Sequence, residues 1–141
     1  MTKNDLARSY LEKATKRKRV LDVLMEEAAY SDVIREAQEL VELAMKAMLR
    51  WVGIDPPKWH DVGPIMLENV ELFPDSLRPD LPQLAEISRW LRKEREFSFY
   101  GDIDFIPTEQ YSRADAERAI VDALFVLARA RRLIVGYVRE K

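Results

Sequence analysis

Helix breakers are spread unevenly along this chain, and that distribution limits what it can fold into more than any other feature. All seven prolines lie within one middle region, at Pro56, Pro57, Pro64, Pro74, Pro79, Pro82 and Pro107, and only four glycines occur in 141 residues. Proline removes a backbone donor and clashes with the preceding helical turn, and glycine is costly in a helix interior. Three long stretches escape both residues, and those stretches read as helices.

The first is expected over about residues 4–29, where Leu6, Tyr10, Ala14, Arg17, Leu21, Leu24 and Ala28 recur at steps of three and four along one face. Ser31 and Asp32 offer caps for a second helix, whose stripe of Ile34, Ala37, Val41, Ala44, Met48 and Trp51 runs to a natural stop at Gly53. At ~1.5 Å per residue both helices exceed about 30 Å, and the short turn between them makes them antiparallel. The middle suggests an irregular cover, with Asp61 or His60 capping a short helix through Val62, Ile65, Met66 and Val70. Helical period resumes over 84–97. Residues 99–107 look like a loop carrying Asp102 and Asp104 beside Gly101. Ser112 followed by Asp115 forms a capping-box pattern, opening a last helix with the stripe Ile120, Leu124, Leu127, Arg131, Ile134 and Val138. The expected architecture is an all-α, up-and-down antiparallel bundle of about five helices in one domain over residues 1–141.

Composition supports this. A chain of 141 residues is long enough to bury roughly 68% of its unfolded surface. With 48% hydrophobic and 34% charged residues it has the balance of a globular protein. The formal charge of −2, from 23 basic and 25 acidic residues, provides no global attraction to nucleic acid or a membrane surface, so any anion site must be local. The absence of cysteine excludes disulfides, thiolate zinc and a cysteine nucleophile, and it suits a reducing cytoplasm. No apolar run approaches the roughly 20 residues of a membrane span, and the charged start is unlike a signal peptide.

One charge conflicts with its position. Leu84, Ser88, Leu91, Arg95 and Ser98 share a helix face, which puts Arg95 on a mainly inward stripe. A guanidinium is permanently charged and expensive to bury alone, so it needs a carboxylate, carbonyls or a bound anion. Glu94, Asp102 and Asp104 are the nearest acids in sequence. Arg95 either ties the adjacent Tyr-Gly-Asp loop to the bundle or binds phosphate in a cleft. The same argument applies more weakly to Arg131, whose long stem can snorkel.

Taken in order, several segments resemble the HEPN family. Ala37, Glu39, Leu40, Glu42, Ala44, Lys46 and Ala47, then Gly53, a proline pair and His60-Asp61, are similar to the family's second helix and following turn. Tyr100, Pro107, Tyr111, Asp115-Ala116, Ala119 and Ala123 resemble its tyrosine-bearing loop and alanine-lined final helix. The resemblance implies a homodimer with a cleft at its interface, binding of nucleotide or RNA, and pairing with a minimal nucleotidyltransferase in a toxin–antitoxin-type system. On it rest the expected site residues Arg92, Arg95, Tyr100 and Asp102, with Arg95 and Tyr100 as the catalytic pair if RNA is cleaved.

The chain departs from the family's ribonuclease pattern, in which an arginine is followed after four to six residues by histidine. Four residues separate Arg95 from Tyr100 and six separate Arg92 from Phe99, and the single histidine is His60, far upstream. Cleavage requires a group that takes the 2′-hydroxyl proton near neutral pH, which suits histidine with a pKa of about 6.5. A tyrosine with an ordinary pKa of about 10 is ionised to roughly one part in a thousand at pH 7, a deficit of about 4 kcal/mol. The expected role is therefore binding of nucleotide or RNA phosphate, with an altered-site endoribonuclease and a purely structural interaction module as alternatives.

His60, in Pro-Pro-Lys-Trp-His-Asp, reads as a turn or cap residue and a fallback catalytic group. Lys58 and Trp59 beside it have the chemistry to neutralise and stack on a nucleotide, or to act as a solvated charge and an anchor. No phosphate-binding glycine loop, His-Glu-x-x-His helix or Gly-x-Ser-x-Gly elbow occurs. No resident cofactor is expected. Asp102 and Asp104 could accompany magnesium beside a phosphate, but paired loop acids are usually turn formers. The basic residues Lys13, Lys16, Arg17, Lys18 and Arg19 spread around their helix, usually the mark of a solvated face. Lining a cleft, they would attract RNA in a salt-sensitive way.

Overall fold

A chain whose second helix is apolar over most of its circumference has to surround that helix with others. The computed structural model describes residues 3–58, 61–99 and 106–136. These form four long helices, α1 (Lys3–Glu26), α2 (Tyr30–Trp51), α4 (Leu81–Phe99) and α6 (Arg113–Val135), and two short ones, α3 (Gly63–Glu68) and α5 (Pro107–Gln110). Single 3-10 turns lie at Val70–Leu72 and Arg78–Asp80, and no strand occurs among the described residues. The protein is an all-α helical bundle.

Helix α2 is its axis. It packs against α1, α4 and α6, and none of its residues is exposed. Val33, Ile34, Ala37, Leu40, Val41, Ala44, Met45 and Met48 are all within the core. Burial on every side, and not helix propensity alone, holds such a helix together. The α1–α2 pair is antiparallel as expected. Arg17 of α1 meets Glu36 near the start of α2 at 3.2 Å, while Arg8 lies 5.2 Å from the ring centre of Trp51 at its end. Helix α4 is tied to α6 by the Trp90 indole N–H, which donates to Asp122 Oδ2 at 3.0 Å, and the 3-10 turn just before α4 is tied to α6 by Arg129, 2.8 Å from Asp80.

Helix ends follow backbone geometry more closely than the sequence suggests. Gly53, at φ +94°, stops α2 as expected: its N–H bonds to the Arg50 carbonyl at 3.1 Å and that of Ile54 to Leu49 at 2.9 Å, a Schellman arrangement. The α1–α2 turn repeats it one helix earlier, with Ala28 N–H on Met25 at 3.0 Å and Ala29 N–H on Leu24 at 2.9 Å. This closure ends α1 at Glu26 and starts α2 at Tyr30, so Ser31 and Asp32 lie inside the first turn and do not cap it. The capping box at Ser112 and Asp115 is present, both reciprocal bonds included.

Two expectations about faces change. Helix α4 starts at Leu81, three residues early, because Pro82 falls in its first turn, where the missing N–H costs nothing. On α6 the core face is Ala116, Ala119, Ala123, Val126, Leu127, Ala130 and Ile134, so Leu127 and Ile134 are buried as expected, while Leu124 turns out to be partly exposed and Arg131 lies at the surface. The alanines win this face because small side chains allow helix axes to approach closely, near the lower end of the ~8–10 Å range. Close approach also explains Gly63 at the start of α3, where a β-carbon would sit 3.0 Å from the Cα and Cβ of Ala85 on α4.

Ala28 holds a left-handed φ of 56°, a conformation that costs a residue with a β-carbon about 1 kcal/mol or more. Ala28→Gly is therefore expected to raise the thermal midpoint by roughly 3 to 5 °C, about 1 kcal/mol of added stability for a domain of this size. Calorimetry checks this, and an unchanged or lowered midpoint would remove strain at this turn as an explanation.

Candidate functional site

Helix α2 is covered over most of its circumference yet carries charge: Glu36 pairs with Arg17 of α1 and Arg50 with Asp55, while Arg35, Glu39, Glu42 and Lys46, at steps of four, three and four, share one half-buried stripe. This stripe faces α4. Arg95 Nη2 lies 2.8 Å from Glu39 Oε1, and Arg92 Nη1 lies 3.6 Å from Glu42 Oε1. Residue numbers fall on α4 as they rise on α2, so the two helices are antiparallel, and the three-residue spacing of the acids matches that of the arginines. Lys46 Nζ joins from the next turn of α2 at 3.2 Å from Glu42, and the Gln38 amide donates to the other oxygen of Glu42 at 3.2 Å. Three cations thus surround two carboxylates along one ladder.

Arg95 is therefore on the helix face expected of it, but less deeply buried. Its side chain is 40% exposed, and Glu39, 56 residues away in sequence, holds it at 2.8 Å. Glu94 points its carboxylate elsewhere, accepting from the Tyr111 hydroxyl at 3.1 Å. Tyr100, Asp102, Asp104, Trp59 and His60 lie outside the described residues. Arg92 and Arg95 are thus the two expected site residues that the structure brings together. Glu39, Glu42 and Lys46 are the partners that the sequence reading missed. Their signal was available: charges at steps of three and four on a helix otherwise built to be buried.

Two neighbouring features frame the ladder. Asp61 Oδ1 accepts from the Gly63 N–H at 3.1 Å and from the Ser88 hydroxyl at 2.7 Å, which fastens the start of α3 to the middle of α4, although Val62 and not Asp61 occupies the N-cap position. Tyr111, where α5 ends, anchors to α4 through Glu94. Burial, and then the adjacent Glu94 carboxylate, push its phenol well above the ordinary tyrosine range, so it stays a neutral hydrogen-bond donor.

Chemically, this surface can hold an anion. Guanidinium groups present paired N–H donors to phosphate, and the Lys46 ammonium adds a point charge. Among the described residues, no group of three or more His, Cys, Asp or Glu side chains is placed to hold a metal ion. No described helix is long and apolar enough to cross a membrane.

The model of the HEPN domain matches residues 7–133, nearly the whole chain and all four long helices. The chain belongs to the HEPN family. No individual curated protein and no solved structure shows a significant match. Membership supports a nucleotide- or RNA-related role in general terms, and this HEPN chain carries its α2–α4 ladder inside the matched region.

Because Arg95 is two-fifths exposed, its pair with Glu39 belongs with partly solvated ion pairs, not with buried ones. A double-mutant cycle on Arg95→Ala and Glu39→Ala is expected to give a coupling of about 1 kcal/mol or less, against the range of about 3 to 5 kcal/mol for breaking a buried pair. A coupling in the higher range, measured by urea unfolding, would show that the ladder is sealed from solvent.

Tyr111 yields a pH dependence. Its phenol ionises less readily in the folded protein than in the unfolded chain, so its stabilising contribution is fully present below the unfolded value and is lost as pH rises towards the folded one. Between about pH 9 and about pH 11, the parent protein should lose more unfolding free energy than Tyr111→Phe, since unfolded tyrosine titrates near about 10. Equal losses in both proteins would contradict the raised phenol.

Proposed function

We propose that this HEPN protein binds the phosphates of a nucleotide or single-stranded RNA on the α2–α4 surface, with Arg92, Arg95 and Lys46 as the contacts and Glu39 and Glu42 as positioning residues. The observation that carries this reading is the ladder itself, in which Glu39 and Glu42 gather and orient Arg92, Arg95 and Lys46 on one half-buried surface. Charge held locally in this way matters more than the net charge of −2, which repels anions only weakly at a distance.

Binding is favoured over cleavage on two grounds. The arginine-to-histidine spacing of family ribonucleases ends in tyrosine or phenylalanine here. The tyrosine described nearest to α4, Tyr111, is held neutral and hydrogen-bonded, so it does not serve as a base. An ordered ion-pair ladder also keeps the arginine forks oriented before a ligand arrives, which lowers the ordering cost of binding.

Fluorescence anisotropy with a short single-stranded RNA tests this reading. The parent should bind with an affinity that falls steeply with salt. The Arg92→Ala, Arg95→Ala double variant should bind at least about tenfold more weakly, and its log–log salt slope should be shallower by about 0.7 for each phosphate it no longer neutralises. Arg95→Lys, which keeps the charge but removes the fork, should fall between the two. The RNA should remain intact throughout. Undiminished affinity in a folded double variant would overturn the proposed site, and cleavage that disappears in Arg95→Ala would replace binding with catalysis.

A further inference from the structure

Gln38 is the polar side chain on α2 whose hydrogen-bonding capacity the ion-pair ladder leaves half used. It is 4% exposed, and its amide nitrogen donates to Glu42 Oε2 at 3.2 Å. Its carbonyl oxygen, Oε1, is buried and accepts from no donor among the described residues. Turning the amide over would not relieve this, because only its NH2 end can donate to a carboxylate, so Glu42 fixes which way the oxygen points. A buried acceptor left unpaired costs about 1 to 3 kcal/mol, and an apolar side chain of the same shape would avoid that cost. Packing therefore gives no reason for an amide here, whereas a donor that arrives from outside the chain does.

The neighbours of Gln38 point to the kind of donor. At about 100° per residue, Gln38 sits about 40° from Glu42 around α2, at the edge of the charged stripe. Glu42 Oε2 takes the amide, while Glu42 Oε1 meets Lys46 at 3.2 Å and Arg92 at 3.6 Å. One carboxylate thus holds an acceptor beside two of the cations assigned to phosphate. From this juxtaposition we infer that Gln38 Oε1 accepts a hydrogen bond from the 2′-hydroxyl of the ribose whose phosphate sits at Arg92 and Lys46, so that the site selects RNA over DNA.

The inference rests on the phosphate-binding reading and adds the sugar that the site admits. The 2′-hydroxyl is the donor that a nucleotide carries next to its 3′-phosphate, whereas base amino groups lie on the far side of the sugar. A deoxyribose in the same place would leave the amide oxygen unpaired, which is how a buried polar group rejects a ligand lacking its partner. Because Oε1 is out of contact with solvent in the free protein, phosphate capture precedes reading of the sugar. The Arg92 contact with Glu42 is the longest of the ladder, so a phosphate draws this guanidinium away more readily than it draws Arg95 from Glu39 at 2.8 Å.

Anisotropy with one short single-stranded sequence in ribose, 2′-deoxyribose and 2′-O-methylribose forms tests this at fixed salt. The parent should bind the ribose form at least about tenfold more tightly than either of the others, which lack the donor. Gln38→Met, which keeps the length of the side chain and removes the acceptor, should bind all forms within about twofold of one another, with the loss confined to ribose and the circular dichroism spectrum unchanged. A loss shared equally by every form would make Gln38 a support for Glu42 and overturn the inference. So would a ribose preference that survives Gln38→Met, or a preference that follows exchange of cytosine for uracil and guanine for inosine, which would assign the oxygen to a base amino group. A parent that binds all sugar forms alike, yet loses them in the Arg92→Ala, Arg95→Ala double variant, overturns the sugar reading and leaves the phosphate site standing. Binding of every form that is indifferent to the double variant overturns the phosphate site, and the sugar reading with it.

Discussion

A helix covered over most of its circumference can carry charge only along the narrow strip where water and a neighbouring helix can answer it. That constraint organises the α2–α4 half of this structure. Because α1, α4 and α6 cover α2, its polar stripe of Arg35, Glu39, Glu42 and Lys46 has only the seam with α4 in which to be solvated or paired. The seam fixes the register of α4, since sliding it by one turn would separate both Arg92 from Glu42 and Arg95 from Glu39. Apolar packing alone, being non-directional, would tolerate more than one alignment of two smooth helices. The ion pairs contribute specificity of register more than net stability.

The legible parts of the fold were those set by local chemistry. The long helices announced themselves through the absence of breakers, Gly53 through its place after an apolar stripe, and the start of α6 through Ser112 and Asp115. What stayed hidden depended on tertiary contact. Nothing in Ser31-Asp32 reveals that the backbone has already closed on Leu24 and Met25, leaving the better capping residues inside the helix. Periodicity placed Leu124 on the core line of α6 with Leu127 and Ile134; those two are buried, whereas the alanines beside Leu124 take its place against the core. A period identifies a helix. It does not say which of two adjacent apolar lines faces inward when one is made of small residues.

The site was half legible for the same reason. Arg95 could be flagged from α4 alone, because a guanidinium on an inward line is anomalous wherever its partner lies. Its partner could not be found by scanning nearby acids, because Glu39 is brought in by the antiparallel return of the chain. The useful sequence clue was a match of spacings: acids three apart on one amphipathic segment and arginines three apart on another, in helices already expected to be antiparallel. Such a match predicts a register as well as a contact. Of the nearer acids, Glu94 sits one position before Arg95 on the helix, about 100° around the axis, and bonds Tyr111 instead.

Helices α2 and α6 show opposite consequences of the same packing rule. The central helix is largely surrounded, so its large apolar residues are consumed by the core and its charges sit where partners on α1, α4 or the following turn orient them. The outer helix presses a line of alanines against that centre, and close contact leaves no space inward for Val121 or for all of Leu124.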